Sequence, residues 1–355
     1  MNGAQDQKAP PSGGSNLWKQ LLALAIAGLF LWLSFKDAKF AEIWDYAKQT
    51  KPEYLFWVFA TAVISHLLRA WRWIFLLKPL TDKKISLFNS FCAVIYGYAV
   101  NIVIPRGGEV ARLISISKSE NLPWMGVLPT MFIDRLLDVA ILGSLLGMTL
   151  TQLPKQILDK APFLIPGGIA ITICSIAGLF VLPLASKLIR SFAELPAIKQ
   201  KLSPKLATTF ESLATQFGIG TKSLMDPKAY PAIAVLTVLI WLFYWLNFYL
   251  MIFAFHLESR VSAVQCLVVF TIGSFGVLIP TPGNVGSVHY LVSQALQFTC
   301  GLDESQSLAY VTVLHFFCSI LAICVTAAAC WIWQQTHPTK RAESTKAADP
   351  VSQPE

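Results

Sequence analysis

Residues 101–112 read NIVIPRGGEVAR, a break inside an apolar stretch that runs from residue 87 to residue 120. Proline and glycine together end a helix and permit a tight reversal of the chain. A second break, IPTPGNVGS at residues 279–287, interrupts the apolar stretch 262–299. Freed backbone groups are tolerated in hydrocarbon only under protein or beside a water-filled cavity. Each stretch is therefore either two spans joined by a loop or one re-entrant hairpin.

The composition around these breaks is that of a membrane protein. The 355 residues are 55% hydrophobic and only 14% charged, whereas a soluble domain has about 25% charged residues. A helical crossing needs about 20 apolar residues. Runs of about this length occur at 17–35, 54–77, 125–151, 163–185, 231–256 and 307–334.

Charge asymmetry selects the re-entrant interpretation. The connections 78–86 and 186–230 are both basic, and basic connections stay in the cytoplasm. Only the spans 125–151 and 163–185 separate them, apart from the first broken stretch. That stretch must therefore enter and leave on one face. The same argument places the second hairpin on the outer face and both chain termini in the cytoplasm.

The resulting pattern is an inverted repeat of span, hairpin and span. Residues 104–110 and 279–285 agree at four of seven positions, and paired broken helices in two halves point to a transport site near the bilayer midplane. We predict an all-α polytopic membrane protein with six full spans and two re-entrant hairpins, 87–120 and 262–299. The membrane domain covers 17–334, between disordered cytoplasmic tails at 1–16 and 335–355.

The long connection 186–230 contains an amphipathic pattern. Leu206, Phe210, Leu213 and Phe217 recur at spacings of four, three and four residues, which is typical of one helix face. This helix either lies on the inner leaflet or packs against the cytoplasmic ends of the spans.

Charged residues inside apolar segments are candidates for function, because each costs at least about 2.5–3.5 kcal/mol at the centre of a membrane helix. Arg69 and Arg72 share a helix face and either snorkel to the interface or contact a headgroup. Asp134, Arg135 and Asp138 lie in the third span, where Arg135 can reach Asp138. This acidic group is expected to bind the arginines of the second span or of the first hairpin.

The first hairpin tip carries Asn101, Arg106, Glu109 and Arg112. Glu109 can pair with Arg106 or with Arg112, which is the structural interpretation. Alternatively, the N-terminus of the returning helix and Arg106 bind a phosphate. Inside the predicted membrane segments, the arginines outnumber the carboxylates by two. A bound anion would reduce this excess positive charge.

The second tip offers neutral donors: Thr281, Asn284, Ser287 and the backbone. His289 and His315 are candidates for the same cavity, although a lone helix histidine is more often a structural residue. The residues that shape the two tips are Pro105, Gly107, Gly108, Pro280, Pro282, Gly283 and Gly286.

The sequence favours no enzyme class. It contains no GxxxxGK[ST], GxSxG or HExxH motif and no paired-cysteine metal site, so we predict no cofactor and no catalytic or metal-binding residue. The net charge of +8 is spread over short connections rather than one face, which argues against nucleic acid as a partner.

These residues resemble the lysylphosphatidylglycerol synthase transmembrane, or flippase-like, domain family. The resemblance rests on RAWRW at 69–73, on the 101–112 stretch, on Asp134-Arg135 with Asp138, and on PTPGNVG at 280–286. The chain departs from the family pattern at His289, where relatives often carry a glutamate. The synthase half is absent from this sequence, so the resemblance implies a stand-alone member without aminoacyl transfer.

The resemblance implies a multi-pass protein of the bacterial or archaeal inner membrane that moves lipids between leaflets. The leading hypothesis is a translocase for an anionic phospholipid or lipid-linked headgroup. Its rivals are a membrane-embedded enzyme acting on a polyprenyl-phosphate-linked sugar, with Glu109 or Asp134 as base, and a scaffold that binds lipid without moving it. The expected partners are lipids with anionic headgroups; a second copy and a lipid-modifying enzyme stay open as further partners.

Overall fold

A computed structural model describes residues 17–150, 164–194 and 204–337, and every regular element among them is helical. The predicted leader 1–16 and most of the predicted tail lie outside the described residues. The helices are α1 Leu17–Phe35, α2 Phe40–Lys48, α3 Pro52–Leu77, α4 Leu87–Val103, α5 Gly107–Glu120, α6 Trp124–Leu150, α7 Leu164–Glu194, α8 Pro204–Gly220, α9 Tyr230–Ala254, α10 Ala263–Phe275, α11 Ser287–Cys300 and α12 Glu304–Thr336.

Local sequence explains several of these helix starts. Pro52 begins α3, where its missing N–H has no intrahelical partner to lose. Ser262 and Gln265 form a capping box at the start of α10. The Asp303 carboxylate accepts the backbone N–H of Gln306 at 2.8 Å and caps α12. Helix α12 extends through Thr336, two residues beyond the predicted end of the membrane domain.

Among the residues that the structure describes, three helices are long and apolar enough to cross a bilayer: Pro52–Leu80, Tyr230–Ala254 and Glu304–Thr336. A fourth crossing is possible if α1 and α2, which are bent by 84° from each other, count as one broken span. Helix α6 has 27 residues, which is also sufficient in length. Three charged residues in its middle, Asp134, Arg135 and Asp138, lower its hydropathy. The chain is therefore a multi-pass helical membrane protein.

Helices α4 and α5 form an antiparallel hairpin. Their outer ends are joined because Glu120, the last residue of α5, accepts hydrogen bonds from the side chain of Asn89 at 2.7 Å and the backbone of Ser86 at 3.2 Å. Near the turn the two helices touch at Gly97 and Gly108, where a Cβ added to Gly108 would lie 1.9 Å from the Gly97 carbonyl oxygen. The end of α5 therefore lies beside the start of α4.

Helices α10 and α11 form a second hairpin of the same kind. The side chain of Gln265 near the start of α10 donates to the Thr299 carbonyl at 2.8 Å, and Arg260 donates to the Gly301 carbonyl at 3.1 Å. Close to its turn, a Cβ at Gly276 would lie 2.9 Å from the Cα of Val288. Both sequence breaks therefore act as turns between paired helices.

Each hairpin belongs to a separate hydrophobic core. The α4–α5 hairpin packs with α3 and α6, whereas the α10–α11 hairpin packs with α9 and α12. The halves meet mainly through α3 and α9, where the Thr61 hydroxyl donates to the Asn247 side-chain oxygen at 3.1 Å. The helices that begin the two predicted repeats therefore lie side by side.

Helix α8 corresponds to the predicted amphipathic segment. It packs on α6 and α7, with Ala214 and Phe217 buried. A Cβ at Gly220 would lie 2.1 Å from the Gly126 carbonyl oxygen, so α8 and α6 are in direct backbone contact. Ala214, Phe217 and Gly220 therefore pack against other helices of the protein.

The glycine contact inside the first hairpin generates a stability prediction. Gly108→Ala forces a methyl group into the Gly97 carbonyl, and overpacking of this kind costs about 1–3 kcal/mol. We expect a lower midpoint of thermal unfolding in detergent. The control is Gly147→Ala, because a Cβ at Gly147 meets nothing within 4 Å. Equal midpoints for the two variants would contradict the close packing of α4 on α5.

Candidate functional site

The centre of the candidate site is the carboxylate of Asp134 in α6, which is completely buried. One oxygen accepts hydrogen bonds from Arg72 of α3 at 2.6 and 3.1 Å. The other accepts from Arg69 of α3 at 3.1 Å and from Arg112 of α5 at 3.0 Å. Asp138, one turn further along α6, also pairs with Arg69 and, at 2.8 Å, with Arg72. This ion-pair cluster ties three helices together.

The cluster corrects the sequence interpretation of Arg69 and Arg72. Neither snorkels to an interface, because only 2% of Arg69 and none of Arg72 is exposed. Both guanidinium groups are bound to the α6 carboxylates. All three side-chain nitrogens of Arg72 are hydrogen-bonded, whereas Nε of Arg69 has no partner among the described residues. Thr237 and Tyr244 of α9 accept further hydrogen bonds from these arginines at 3.1 and 3.2 Å. The expectation that the acidic group of α6 binds the arginines of α3 and of the first hairpin matches these contacts.

Glu109 and Arg135 form a separate ion pair. The carboxylate of Glu109 accepts from Nε of Arg135 at 3.1 Å and also from Nη2. Glu109 thus pairs with neither Arg106 nor Arg112, and Arg135 does not bond Asp138. The reason is geometric: Asp138 is already occupied by the α3 arginines, while α5 lies against α6. Both side chains of the pair are partly exposed.

Arg112 is the least satisfied member of the cluster. Its guanidinium carbon lies 3.8 Å from the centre of the Trp73 ring, and only 4% of the residue is exposed. Nη1 binds Asp134, but Nε and Nη2 have no hydrogen-bond partner among the residues that the structure describes. Two strong donors are therefore buried on one edge of this guanidinium.

Arg112 also lines a small cleft between α4, α5 and α6. The cleft is open on one side, and its free volume of about 10 Å³ is that of about one water molecule. Asn101, Glu109 and Arg135, all predicted site residues, line it as well. The remaining lining residues are Val94, Gly97, Tyr98 and Gly108.

The turn of the first hairpin exposes Arg106. This residue has a left-handed backbone with φ of 61°, and its side chain donates to the Leu278 carbonyl at 3.4 Å. Asn101 caps the returning helix, since its side-chain oxygen accepts the Gly108 N–H at 2.8 Å. One of the N–H groups expected to bind an anion is therefore already occupied. Gly107 N–H likewise bonds the Ile104 carbonyl at 3.0 Å.

The two turns lie against each other. A Cβ at Gly283 in the second turn would lie 3.5 Å from the Cα of Ile102 in α4. The Arg106 hydrogen bond to Leu278 crosses the same boundary. The structure thus brings Ile102 and Arg106 of one hairpin beside Gly283 and Leu278 of the other.

Two of the donors predicted at the second turn bond within the turn. Thr281 and Ser287 are buried and bond each other at 3.1 Å, and Ser287 also donates to the Gly276 carbonyl at 2.9 Å. Short hydroxyl side chains bind nearby backbone in this way to stabilise turns. Asn284 has a left-handed backbone with φ of 59° and is partly exposed. Thr281 and Ser287 therefore stabilise the turn, whereas the role of Asn284 as a donor stays a prediction.

The histidines near the second turn form their own pair. The rings of His289 and His315 are 5.0 Å apart, and His315 Nε2 bonds the Gly283 carbonyl at 2.9 Å. His289 is buried and packs near Phe35 of α1. It does not line the cleft beside Arg112, so the sequence-based assignment of His289 to a common substrate site lacks a contact in the structure.

Sequence reasoning missed the aromatic and hydroxyl partners of the charged cluster. Trp73, Thr237, Tyr244 and Tyr98 all contact or border it, yet each is an ordinary residue for a membrane helix. The spacing of Arg72 and Trp73 does not reveal that the ring packs under an arginine from another helix. Within the described ranges, no group of three His, Cys, Asp or Glu side chains could hold a metal ion.

The arrangement can bind an anion. Three guanidinium groups share the two carboxylates of Asp134 and Asp138, so the buried cluster carries one excess positive charge. Unpaired positive charge is costly in a low-dielectric interior. Guanidinium N–H groups favour phosphate or carboxylate oxygens as acceptors. The free edge of Arg112 is where such an acceptor would bind.

The cluster also predicts a large stability effect. Asp134→Asn removes the charge that three buried arginines share, and breaking a buried ion pair costs about 3–5 kcal/mol. We expect a marked loss of thermal stability or of folded protein in detergent. The control is Asp37→Asn, because the Asp37 side chain is 68% exposed. A variant at Asp134 as stable as the control would show that the cluster does not support the fold.

Comparisons with known proteins agree with this architecture. The family model described as "Lysylphosphatidylglycerol synthase TM region" matches residues 20–331. The "UPF0104 membrane protein MJ1595" of Methanocaldococcus jannaschii is 29% identical over 126 residues, which cover 35% of this chain and 37% of that relative. The chain thus matches little more than a third of this relative's length. No solved structure gave a significant match. The chain belongs to the lysylphosphatidylglycerol synthase transmembrane-region family.

Proposed function

We propose that this protein is a lipid translocase, which moves an anionic phospholipid or a lipid-linked headgroup between membrane leaflets. The observation that carries the proposal is the pair of arginines at the first hairpin. Arg106 lies at the meeting point of the two turns with a backbone carbonyl as its partner. Arg112 lines the cleft and has two buried donors without a partner among the described residues. Both arginines are suited to bind a phosphate oxygen.

The surroundings of Arg106 favour a lipid as the source of that phosphate. Val103 is 75% exposed, and Ile104, Val110 and Val277 are also exposed. Exposed apolar side chains in a membrane protein face acyl chains. An arginine in such a surface is costly unless an anion accompanies it. A lipid supplies the phosphate and keeps its tails in the bilayer.

The description of the family points to the same class of ligand, since lysylphosphatidylglycerol is a phospholipid. The match covers the transmembrane region at residues 20–331, and the ligand class is therefore proposed from that region alone. The rival function, an enzyme with Glu109 or Asp134 as base, is less well supported. Arginines occupy both oxygens of Asp134, and Arg135 occupies Oε1 of Glu109.

The proposed topology places both turns inside the membrane. At about 1.5 Å per residue, α5, α10 and α11, with 14, 13 and 14 residues, reach about 20 Å. This is shorter than the hydrocarbon core of about 30 Å. We propose that the hairpins enter from opposite faces as an inverted repeat, with six full spans and with both termini in the cytoplasm. The protein then belongs to the inner, or plasma, membrane.

Cysteine labelling tests this topology. In a variant without native cysteines, Lys83→Cys before α4 and Lys118→Cys at the end of α5 should react from the same side of the membrane. Glu258→Cys, which follows α9, should react from the other side. The measurement is labelling of right-side-out and inverted vesicles with an impermeant maleimide. Opposite sides for residues 83 and 118 would mean that α4 and α5 form one kinked crossing.

Lipid translocation tests the function. Purified protein in liposomes should move a fluorescent phosphatidylglycerol between leaflets faster than protein-free liposomes do, as measured by dithionite quenching. Arg106→Gly should reduce the rate to that of protein-free liposomes, because it removes the charge without straining the left-handed backbone. Arg106→Lys should retain part of the rate. The control Lys118→Ala, at the far end of the same helix, should behave as the wild type.

Two outcomes would contradict the proposal. If the wild-type protein leaves the leaflet distribution unchanged but converts the lipid chemically, the enzymatic alternative is correct. If it binds the lipid without moving or converting it, the protein is a lipid-binding scaffold.

A further inference from the structure

The two histidines near the second turn form a buried polar pair that the proposed function does not use. His289 of α11 and His315 of α12 are 5% and 6% exposed, and the centres of their rings lie 5.0 Å apart. His315 Nε2 bonds the Gly283 carbonyl at 2.9 Å, so in a neutral ring Nε2 carries the hydrogen and Nδ1 the lone pair. Nδ1 of His289 is buried without a hydrogen-bond partner among the described residues. The pair therefore has ring nitrogens that can take up a proton.

The backbone beside the pair is irregular in both elements that it joins. Gly286 of the second turn has φ of 86°, and a Cβ there would lie 2.8 Å from the Ala27 carbonyl oxygen, so the turn packs directly on α1. Helix α12 forms one π-helical turn at Phe316–Leu321, directly after His315. Such turns are rare within α-helices and are frequent at functional sites. The His315 ring thus connects an irregular part of α12 to the packed turn.

Among the described residues of the surrounding helices, no carboxylate is placed to balance a charge on the pair. Helices α4, α9, α10 and α11 contain no Asp, Glu, Lys or Arg. Lys19 of α1 lies about four turns from Phe35, which packs near His289. Glu304 of α12 lies about three turns before His315. The nearest titratable side chain along α12 is the Cys318 thiol, three residues after His315.

The charged groups of the remaining neighbouring elements are bound elsewhere. In α2, Glu42 and Asp45 pair with lysines at 2.9 and 4.0 Å. In α3, the arginines bind the α6 carboxylates and His66 packs on an α4 tyrosine. Arg106 of the first turn donates to the Leu278 carbonyl. A proton bound by the histidine pair would therefore be an uncompensated positive charge.

We propose that His289 and His315 form a proton-binding site that controls the position of the second turn. The packed turn favours the neutral pair, because a buried charge without a partner of opposite sign is costly. Two imidazolium groups at this separation repel each other, so the pair takes up one proton and not two. That proton comes from water. Its uptake favours a released conformation, in which the turn leaves its packing on α1 and the histidines are hydrated.

The direction of the pH effect follows from this difference. The released conformation binds the proton more tightly than the packed one, so a lower pH raises the population of the released conformation. Uptake of one proton changes that population by at most about tenfold per pH unit. The inference rests on the proposed function, in which the second turn borders Arg106 and has to move for the lipid to pass.

Nuclear magnetic resonance of the histidine rings in the full-length protein in detergent tests proton uptake directly. The chain has five histidines, and the two signals are assigned by their loss in His289→Asn and in His315→Gln. Between about pH 8 and about pH 5, a range that brackets the ordinary titration of histidine, one ring should become charged. The other signal should shift with the same midpoint, as expected for interacting groups. Two rings that stay neutral throughout this range would overturn the proposal.

Spin labels test the movement of the turn. In a variant without native cysteines, labels at Lys118→Cys in α5 and Val277→Cys beside the second turn, both exposed, report the separation of the two hairpins. Their distance distribution should change over the pH range in which the pair takes up its proton. The same pair of labels in His315→Gln should give a distribution that does not depend on pH, since the glutamine amide can still donate to Gly283 but does not titrate. A pH-independent distance with native histidines would contradict control of the turn.

Translocation gives the functional readout. The rate at which fluorescent phosphatidylglycerol becomes extractable by albumin from liposomes should rise severalfold, and by at most about tenfold, from about pH 7.5 to about pH 6.5. In His315→Gln the rate should be the same at both pH values. The control is His256→Asn, which changes an exposed histidine whose φ of 57° suits asparagine, and it should respond to pH as the wild type does.

The outcomes separate this inference from the proposed function. Proton uptake and movement of the turn without translocation at any pH would support the proton site and overturn the translocase. Translocation that is equal at both pH values, or that responds to pH in His315→Gln as in the wild type, would overturn the proton site and leave the translocase intact. If His315→Gln does not fold, the histidine signals of the wild type decide the question.

Discussion

The buried carboxylate of Asp134 is the interaction on which the rest of the structure depends. It receives hydrogen bonds from two arginines of α3 and one of α5, so it fixes the first hairpin against the spans around it. A charge in this environment is tolerated only when it is paired and hydrogen-bonded. Asp138 pairs with the two α3 arginines but not with Arg112. The cluster therefore contains three positive charges and two negative ones.

This imbalance connects the fold to its proposed function. Close packing of α4 on α5 at Gly97 and Gly108 holds Arg112 in place, where it binds Asp134 and keeps two buried donors without a partner among the described residues. The second hairpin abuts the first where Arg106 is exposed among apolar side chains. The proposed lipid binding rests on these two arginines.

Much of the fold could be predicted from the sequence. The proline-glycine breaks lie at the turns of both helix pairs, because few residues other than these permit so sharp a reversal. The apolar runs correspond closely to the long helices α3, α6, α9 and α12. The sequence did not indicate which charged side chains form ion pairs with each other. One of the two interpretations of the first turn paired Glu109 with Arg106 or Arg112. Glu109 instead binds Arg135, because tertiary packing of α5 on α6 outweighs helical spacing.

The candidate site was predictable in composition but not in geometry. Arg69, Arg72, Arg112, Asp134 and Asp138 stand out because charges are rare in membrane helices, yet their hydrogen bonds depend on three helices that are distant in sequence. The sequence suggested Thr281 and Ser287 as ligand donors. In the structure both hydroxyl groups bond within the second turn, as short hydroxyl side chains often do.

The most direct measurement is a cryo-electron microscopy map of the protein in nanodiscs that contain phosphatidylglycerol. The account predicts that both hairpin turns lie within the hydrocarbon layer, with headgroup density against Arg106 or Arg112. A map in which α4–α5 or α10–α11 passes straight through the bilayer, with these arginines solvated at its edge, would contradict it.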